Sequence, residues 1–155
     1  MIVKENFISD DFCDYLIDVF KNNPQLHNEH PPFLQVIYLQ DIMELDTIKK
    51  LTGLISHHCI TELDKNAYIN YHQIAEWKTG AFQGSHKDYD FHNFTSVLYL
   101  NDNFEGGQTL VNGEISHPKK GKLISFAGKD LIHEVRTVTK GTRYTVPVWY
   151  KLDYF

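Results

Sequence analysis

Cysteine is scarce in this chain: Cys13 and Cys59 are the only two among 155 residues. A disulfide framework is therefore excluded, and because each thiol falls within an apolar helical pattern, both are expected to be buried and free in a reducing compartment. No apolar run approaches the length of a membrane span, so no membrane is expected. The opening Met1-Ile2-Val3-Lys4-Glu5-Asn6 lacks the basic start, apolar stretch and small-residue cleavage site of a secretory leader, which makes a cytoplasmic destination the expectation. Basic charge is also short, with 15 Lys and Arg against 20 Asp and Glu and a formal net charge of −5. Broad electrostatic adhesion to nucleic acid is not expected, and the local cluster Lys119, Lys120 and Lys122 reads as a solvated turn. Internal repeats, linkers and low-complexity tracts are absent as well.

What is present suits one domain. A chain of 155 residues that is 42% apolar and 23% charged can bury its own core. Ser9 as an N-cap with Asp10 and Asp11 behind it predicts a helix whose apolar positions are Phe12, Leu16, Val19 and Phe20, ended by Asn22-Asn23-Pro24. A loop through Pro31-Pro32 follows, then a strand over 34–39 and a second helix over about 45–63 with Leu45, Ile48, Leu51, Ile55, Cys59 and Leu63 on one stripe. From Ala67 the texture changes to short strands with turn signals, near 68–77, 94–100, 107–111, 114–117, 122–126, 131–138 and 142–151. Asn112-Gly113 suits a two-residue hairpin, and Lys120-Gly121 and Lys140-Gly141 mark further turns. The expected division is a helical cover with a first strand over 1–66, and over 67–155 antiparallel strands in two facing sheets, a mainly β jelly roll of cupin-like type.

The chemistry gathers at Ser85-His86-Lys87-Asp88. His86 and Asp88 are two positions apart, so on an extended strand both side chains leave one face and can grip one ion. A second histidine from a distant strand completes a two-nitrogen, one-oxygen set of the kind that suits Fe(II) and leaves positions open. Eight of the nine histidines are available for that place. Arg143, with its fork of donors, suits a carboxylate. It alternates with Thr145 and Trp149 on one strand face, while Tyr144, Val146, Val148 and Tyr150 share the other; Thr95, Val97 and Tyr99 likewise share a face.

Several stretches in order resemble the iron- and 2-oxoglutarate-dependent oxygenases, within them the prolyl-4-hydroxylase-like group. They are Ala75 to Gly80, His86 with Asp88, Tyr99-Leu100-Asn101, Phe104-Glu105-Gly106-Gly107-Gln108-Thr109, Leu123 to Phe126, His133-Glu134-Val135 and Gly141 to Thr145. The resemblance implies His86, Asp88 and His133 as metal ligands and Arg143 as partner of the distal carboxylate of 2-oxoglutarate. It implies Tyr99 as a hydroxyl donor to the same carboxylate, with Thr109 and Thr145 nearby and Trp149 as a wall. The implied cofactors are Fe(II), 2-oxoglutarate and dioxygen, with ascorbate as an accessory. The implied reaction is hydroxylation of a substrate C–H bond with release of succinate and carbon dioxide. A peptide, protein or small molecule is the partner class, peptidyl proline first among them, and Trp77, Tyr71 and Tyr89 are the candidate platform for proline rings.

One departure is visible. Relatives usually carry tyrosine where this chain has Trp77, in Trp77-Lys78-Thr79-Gly80. An indole has a donor and no acceptor, so a hydroxyl contact made there in relatives is altered. Two other functions remain open on the sequence. One is a cupin-like metal enzyme without 2-oxoglutarate, drawing on His92; the other is an interaction module on the same fold. His27, His30, His57 and His58 are expected to be solvated, and oligomeric state is not legible.

Overall fold

Ser9 caps the first helix as its position predicts: its Oγ accepts from the Phe12 amide at 3.1 Å, and Asp10 and Asp11 set negative charge at the positive end of α1 (Asp10–Asn22). The second helix runs as α2 (Asp46–His58) and continues through one π turn over Cys59–Leu63, so the expected span is kept while its last turn is wound more loosely. His58 is not solvated. It falls on the same stripe as Ile48, Leu51 and Ile55, is buried, and places Nε2 2.8 Å from Ser125 Oγ on the sheet below. Cys13 and Cys59 are buried and free, and burial pushes their thiols up to about 11 and about 12.

The computed structural model describes residues 1–30 and 34–153; the loop expected at Pro31-Pro32 lies outside the described residues. The strands in chain order are β1 (Ile2–Lys4), β2 (Asn28–His30), β3 (Leu34–Tyr38), β4 (Ala67–Trp77), β5 (Gln83–His86), β6 (Phe94–Tyr99), β7 (Glu105–Gly106), β8 (Thr109–Val111), β9 (Glu114–Ser116), β10 (Leu123–Phe126), β11 (His133–Val135), β12 (Val138–Lys140) and β13 (Arg143–Leu152). A large sheet has the order β1-β10-β6-β13-β4-β3-β2, a smaller one β5-β11-β8-β9, and β12 pairs with β7. Each pairing is antiparallel. β8 and β9 join through Asn112 and Gly113, both at positive φ (50° and 80°), as a two-residue hairpin turn requires.

Alternation on β13 and β6 separates two layers. Tyr144, Val146, Val148 and Tyr150 pack with Leu98 against Leu16, Phe20, Ile48, Leu51 and Ile55 of the helices. A fully buried Leu or Ile contributes about 1.5–3 kcal/mol, so several of them fix the helical layer to the back of the large sheet. On the other face Val97, Tyr99, Ile124 and Phe126 of the large sheet meet Val111 of the small one. The two sheets thus face each other as the expected jelly roll, with one end of the space between them left open.

Two further expectations needed correction. The single strand over 131–138 is broken, because at Arg136 the backbone leaves β11 to bond Gln108 and at Val138 it bonds Ala81. His30 lies in β2 with Nε2 2.7 Å from Tyr38 Oη, and His27 stacks on Phe20 at 4.0 Å with Nε2 against its carbonyl, so neither is a freely solvated loop histidine. The turn lysines stand at the surface as expected, where Lys119 pairs with Glu5, Lys120 with Asp14, and Lys122 donates to the His117 carbonyl. No helix among the described residues is long and apolar enough to cross a membrane.

Candidate functional site

His86 ends β5, and across the ladder its register partner is His133 on β11, with the two rings 4.3 Å apart. Asp88 is not on the strand. β5 stops at His86, and Asp88 turns back with its amide donating to the Gly128 carbonyl at 2.9 Å. The shared-face expectation for His86 and Asp88 was therefore wrong in its geometry, although the two side chains still converge. Asp88 Oδ1 lies 3.2 Å from His133 Nε2 and 3.5 Å from His86 Nε2, and all three ligand atoms lie within 4.8 Å of one another.

The surroundings prepare each ligand atom. His86 Nδ1 sits 2.8 Å from the Gly84 carbonyl and His133 Nδ1 2.8 Å from the Leu131 carbonyl, so each Nδ1–H donates to its carbonyl and Nε2 faces Asp88: in the imidazolium form it donates to the carboxylate, and in the neutral form its lone pair is free for a metal. Thr95 Oγ1 donates to Asp88 Oδ2, leaving Oδ1 for the cluster. Burial alone would raise the Asp88 carboxyl, but hydrogen bonds from His133, His86 and Thr95 outweigh it and hold the group well below the usual carboxylate range. The Asp88 bond raises His86, against the opposing effect of burial. Donors bonded at about 2.1 Å to adjacent corners of one ion stand about 3 Å apart. The carboxylate-to-imidazole spacings fit that, and two nitrogens with one oxygen suit Fe(II).

Gly128 is a residue that sequence reasoning missed. A Cβ there would overlap both Asp88 Oδ2 and Thr95 Oγ1, so only glycine lets the chain pass behind the carboxylate. Its position two residues after β10 carried no signal of its own.

Arg143 begins β13 and is 1% exposed. Its Nη2 donates to Thr109 Oγ1 at 3.2 Å, and Tyr99 Oη lies 2.7 Å from the same oxygen. Its guanidinium carbon stands 4.7 Å from the centre of the Trp77 ring and 5.5 Å from that of Tyr99. Among the described residues Nε has no partner and no carboxylate lies within ion-pair distance. Burial lowers its pKa, opposed in part by Tyr99. Gly107 makes room for this side chain: at φ 64°, an added Cβ would press on Arg143 Cδ and the Phe104 ring, each 3.0 Å away. An unpaired buried cation is costly, and an anionic ligand relieves the cost.

Both groups line one cavity of about 470 Å³, together with Tyr71, Gln73, Trp77, Thr109, Thr145 and Trp149. The β13–β4 register sets Trp77 opposite Arg143 and Tyr71 opposite Trp149. Six residues of strand, about 20 Å, separate those rows, so Trp77 and Tyr71 stand at opposite ends and do not form one platform. At the far end Tyr71 stacks on Trp149 at 4.4 Å, and Tyr89, 70% exposed, stacks on Phe91 at 5.3 Å. His92 is buried beside them with Nε2 2.9 Å from Asn70 Nδ2, outside the ligand cluster. A second cavity of about 530 Å³, lined by Asp14, Lys21, Asn101 and Tyr144 among others, contains no such cluster among the described residues.

Residues 70–151 match the family model described as the 2OG-Fe(II) oxygenase superfamily. Prolyl 3-hydroxylase 2 of Homo sapiens is 40% identical over an alignment of 74 residues that covers 42% of this chain and 10% of that protein. The chain thus matches only about a tenth of the length of this curated relative. Among solved structures, a prolyl-4-hydroxylase of Pseudomonas putida has a TM-score of 0.80 at 18% identity, covering 98% of this chain and 92% of that one. A prolyl hydroxylase of Trichoplax adhaerens, in complex with a hypoxia inducible factor oxygen degradation domain peptide fragment, has a TM-score of 0.76 at 18% identity, covering 97% and 82%. At these identities the structural likeness speaks for the fold.

Proposed function

The chain belongs to the 2OG-Fe(II) oxygenase superfamily, enzymes that use Fe(II) and 2-oxoglutarate, and we propose that it hydroxylates proline within a peptide. In this reading His86, Asp88 and His133 hold the iron and Arg143 holds the distal carboxylate of 2-oxoglutarate. The observation that carries it is the fully buried, unpaired Arg143 in the same cavity as a two-histidine, one-carboxylate cluster. A cupin-like enzyme without 2-oxoglutarate has no use for that cation, and His92, the ligand it would draw on, is bonded to Asn70 instead.

Bound iron supplies dioxygen activation, and 2-oxoglutarate supplies the electrons as it becomes succinate and carbon dioxide. The chain's own residues do the rest. Thr109 Oγ1 accepts from Arg143; if its own proton goes to Tyr99 Oη, the phenol proton of Tyr99 is free for the carboxylate beside the guanidinium. Two directed donors then fix one end of the co-substrate, and buried Thr145 on the adjoining row closes the wall. Trp149 and Tyr71 wall the metal end, and Tyr89 at the rim offers an exposed aromatic face to an extended proline-containing peptide. The similarity to prolyl hydroxylases, one of them with a bound peptide, supports that substrate class. Two buried unpaired thiols suit the reducing, cytoplasmic setting that we propose with it.

The test is succinate formation from 2-oxoglutarate with Fe(II), ascorbate and air, with and without synthetic proline-rich peptides. Peptide-stimulated turnover with one oxygen atom gained on proline is the expected result. Turnover stimulated only by free amino acids or other small molecules sinks the prolyl reading and keeps the oxygenase.

A further inference from the structure

We propose that Trp77 serves the co-substrate end of the cavity as a positioning residue, its indole face holding Arg143 in the orientation that meets a carboxylate. This rests on the functional reading above and moves Trp77 from the substrate side, where its sequence position had put it. Three observations carry it. Trp77 is the β4 register partner of Arg143, so the two side chains rise from neighbouring strands on the cavity face. The guanidinium carbon is 4.7 Å from the ring centre, within cation–π range. The third is what the indole lacks: Trp77 is 8% exposed, and its Nε1 is buried without a hydrogen-bond partner among the described residues.

The unpartnered Nε1 decides between packing and positioning. If Trp77 merely filled the apolar cluster with Val36, Ala75, Ala81 and Val138, phenylalanine would fill much of the same space without burying an unpaired donor. What tryptophan adds over phenylalanine is the strongest face for a cation. That face matters here because, among the described residues, Arg143 donates one side-chain hydrogen bond, to Thr109. One bond leaves a planar fork free to swing. The Trp77 ring at 4.7 Å and the Tyr99 ring at 5.5 Å limit it to one plane, Thr109 sets its roll, and the carboxylate then meets a preorganised pair of donors.

The test measures 2-oxoglutarate affinity calorimetrically on the full chain, with Mn(II) standing in for Fe(II), for wild type, Trp77→Leu, Trp77→Phe and Arg143→Gln. The affinity for Mn(II) alone is measured on each. Trp77→Leu is expected to weaken 2-oxoglutarate by about 10- to 30-fold, with Mn(II) affinity unchanged. Trp77→Phe, which keeps an aromatic face, should recover most of the loss. In the Arg143→Gln background Trp77→Leu should cost nothing further, because the residue acts through Arg143. If Trp77→Leu does not fold, Trp77→Met carries the same expectation. A Trp77→Leu protein that binds 2-oxoglutarate like wild type, beside a weakened Arg143→Gln, overturns this inference alone. A wild-type protein that binds no 2-oxoglutarate overturns the proposed function and this inference together.

Discussion

Replacing Arg143 by methionine should make the protein more stable without 2-oxoglutarate and less stable with it. Arg143 is 1% exposed, has one hydrogen bond, to Thr109, and has no carboxylate partner among the described residues. Methionine keeps the length and fits between the Trp77 and Tyr99 rings without a charge to desolvate. Relief of the buried charge, less the cation–π contacts given up, leaves a gain of about 1–2 kcal/mol. For a domain of this size that is about 2–8 °C in melting temperature. At 2-oxoglutarate one hundred times its dissociation constant, wild type gains about 2.7 kcal/mol. Losing a charge-assisted pair of about 2–4 kcal/mol weakens the ligand roughly 30- to 1000-fold, so at the same concentration the variant gains under about 1 kcal/mol. The two melting curves, recorded with Mn(II) throughout, should therefore exchange order when 2-oxoglutarate is added. A variant destabilised by more than about 2 kcal/mol without ligand, and still shifted by 2-oxoglutarate as wild type is, would falsify the reading of Arg143 as an anion site.

Gly128→Ala places a methyl group on the Asp88 and Thr95 oxygens, and Mn(II) titration should show metal affinity lower by about 10- to 100-fold while the fold is kept. Tyr99→Phe removes one donor from the carboxylate end and should weaken 2-oxoglutarate about 5- to 10-fold without touching metal affinity; an unchanged calorimetric titration removes Tyr99 from the site. His72 is buried against Thr52, and burial lowers its pKa to about 4 from an ordinary 6.5. Between those values the unfolded chain takes up a proton that the folded one refuses. Stability is therefore full above pH 6.5 and falls as pH drops toward 4. About 2 kcal/mol should be lost between pH 7.5 and pH 5, and His72→Gln should remove that share of the slope in urea titrations.

Alternation on a strand showed which residues share a face without a structure, and the family resemblance said which face to propose as the site. Arg143, Thr145 and Trp149 were separated from Tyr144, Val146 and Val148 by that rule, and so were Tyr99 and Thr95 from Leu98. The rule failed at Asp88, because its placement depends on a carbonyl at Gly128 and a hydroxyl at Thr95 that are distant in sequence. Likewise Asn28-Glu29-His30 has little strand character of its own; β2 exists through its ladder to Leu34–Val36. His58 was misread although the signal was there, since positions 51, 55 and 58 continue the buried stripe of α2. Trp77 and Tyr71 share a strand face, but sharing a face says nothing about distance along it, and six residues separate their β13 partners.

The sequence could also not show that the site and the closure of the fold are the same contacts. His86 and His133 belong to the small sheet, and Arg143, Tyr99 and Thr95 to the large one. Among the described residues three side-chain hydrogen bonds join the two sides at the cavity: Thr95 to Asp88 beyond β5, Tyr99 to Thr109 on β8, and Arg143 to Thr109. The Phe126 ring of the large sheet also meets His133 edge-on at 4.8 Å. The separation between the metal ligands and the anion site is thus fixed by how the sheets are tied, and each tie is a residue of the proposed site. Co-substrate bridging the two ends would add a further tie, so binding should tighten the sandwich where it is open. Tyr89 and Phe91 stand outside these ties, stacked on each other and exposed at the rim. Changes there can alter what docks without disturbing the iron or the carboxylate anchor, and this gives a physical reason for cofactor chemistry and substrate choice to vary separately on this fold.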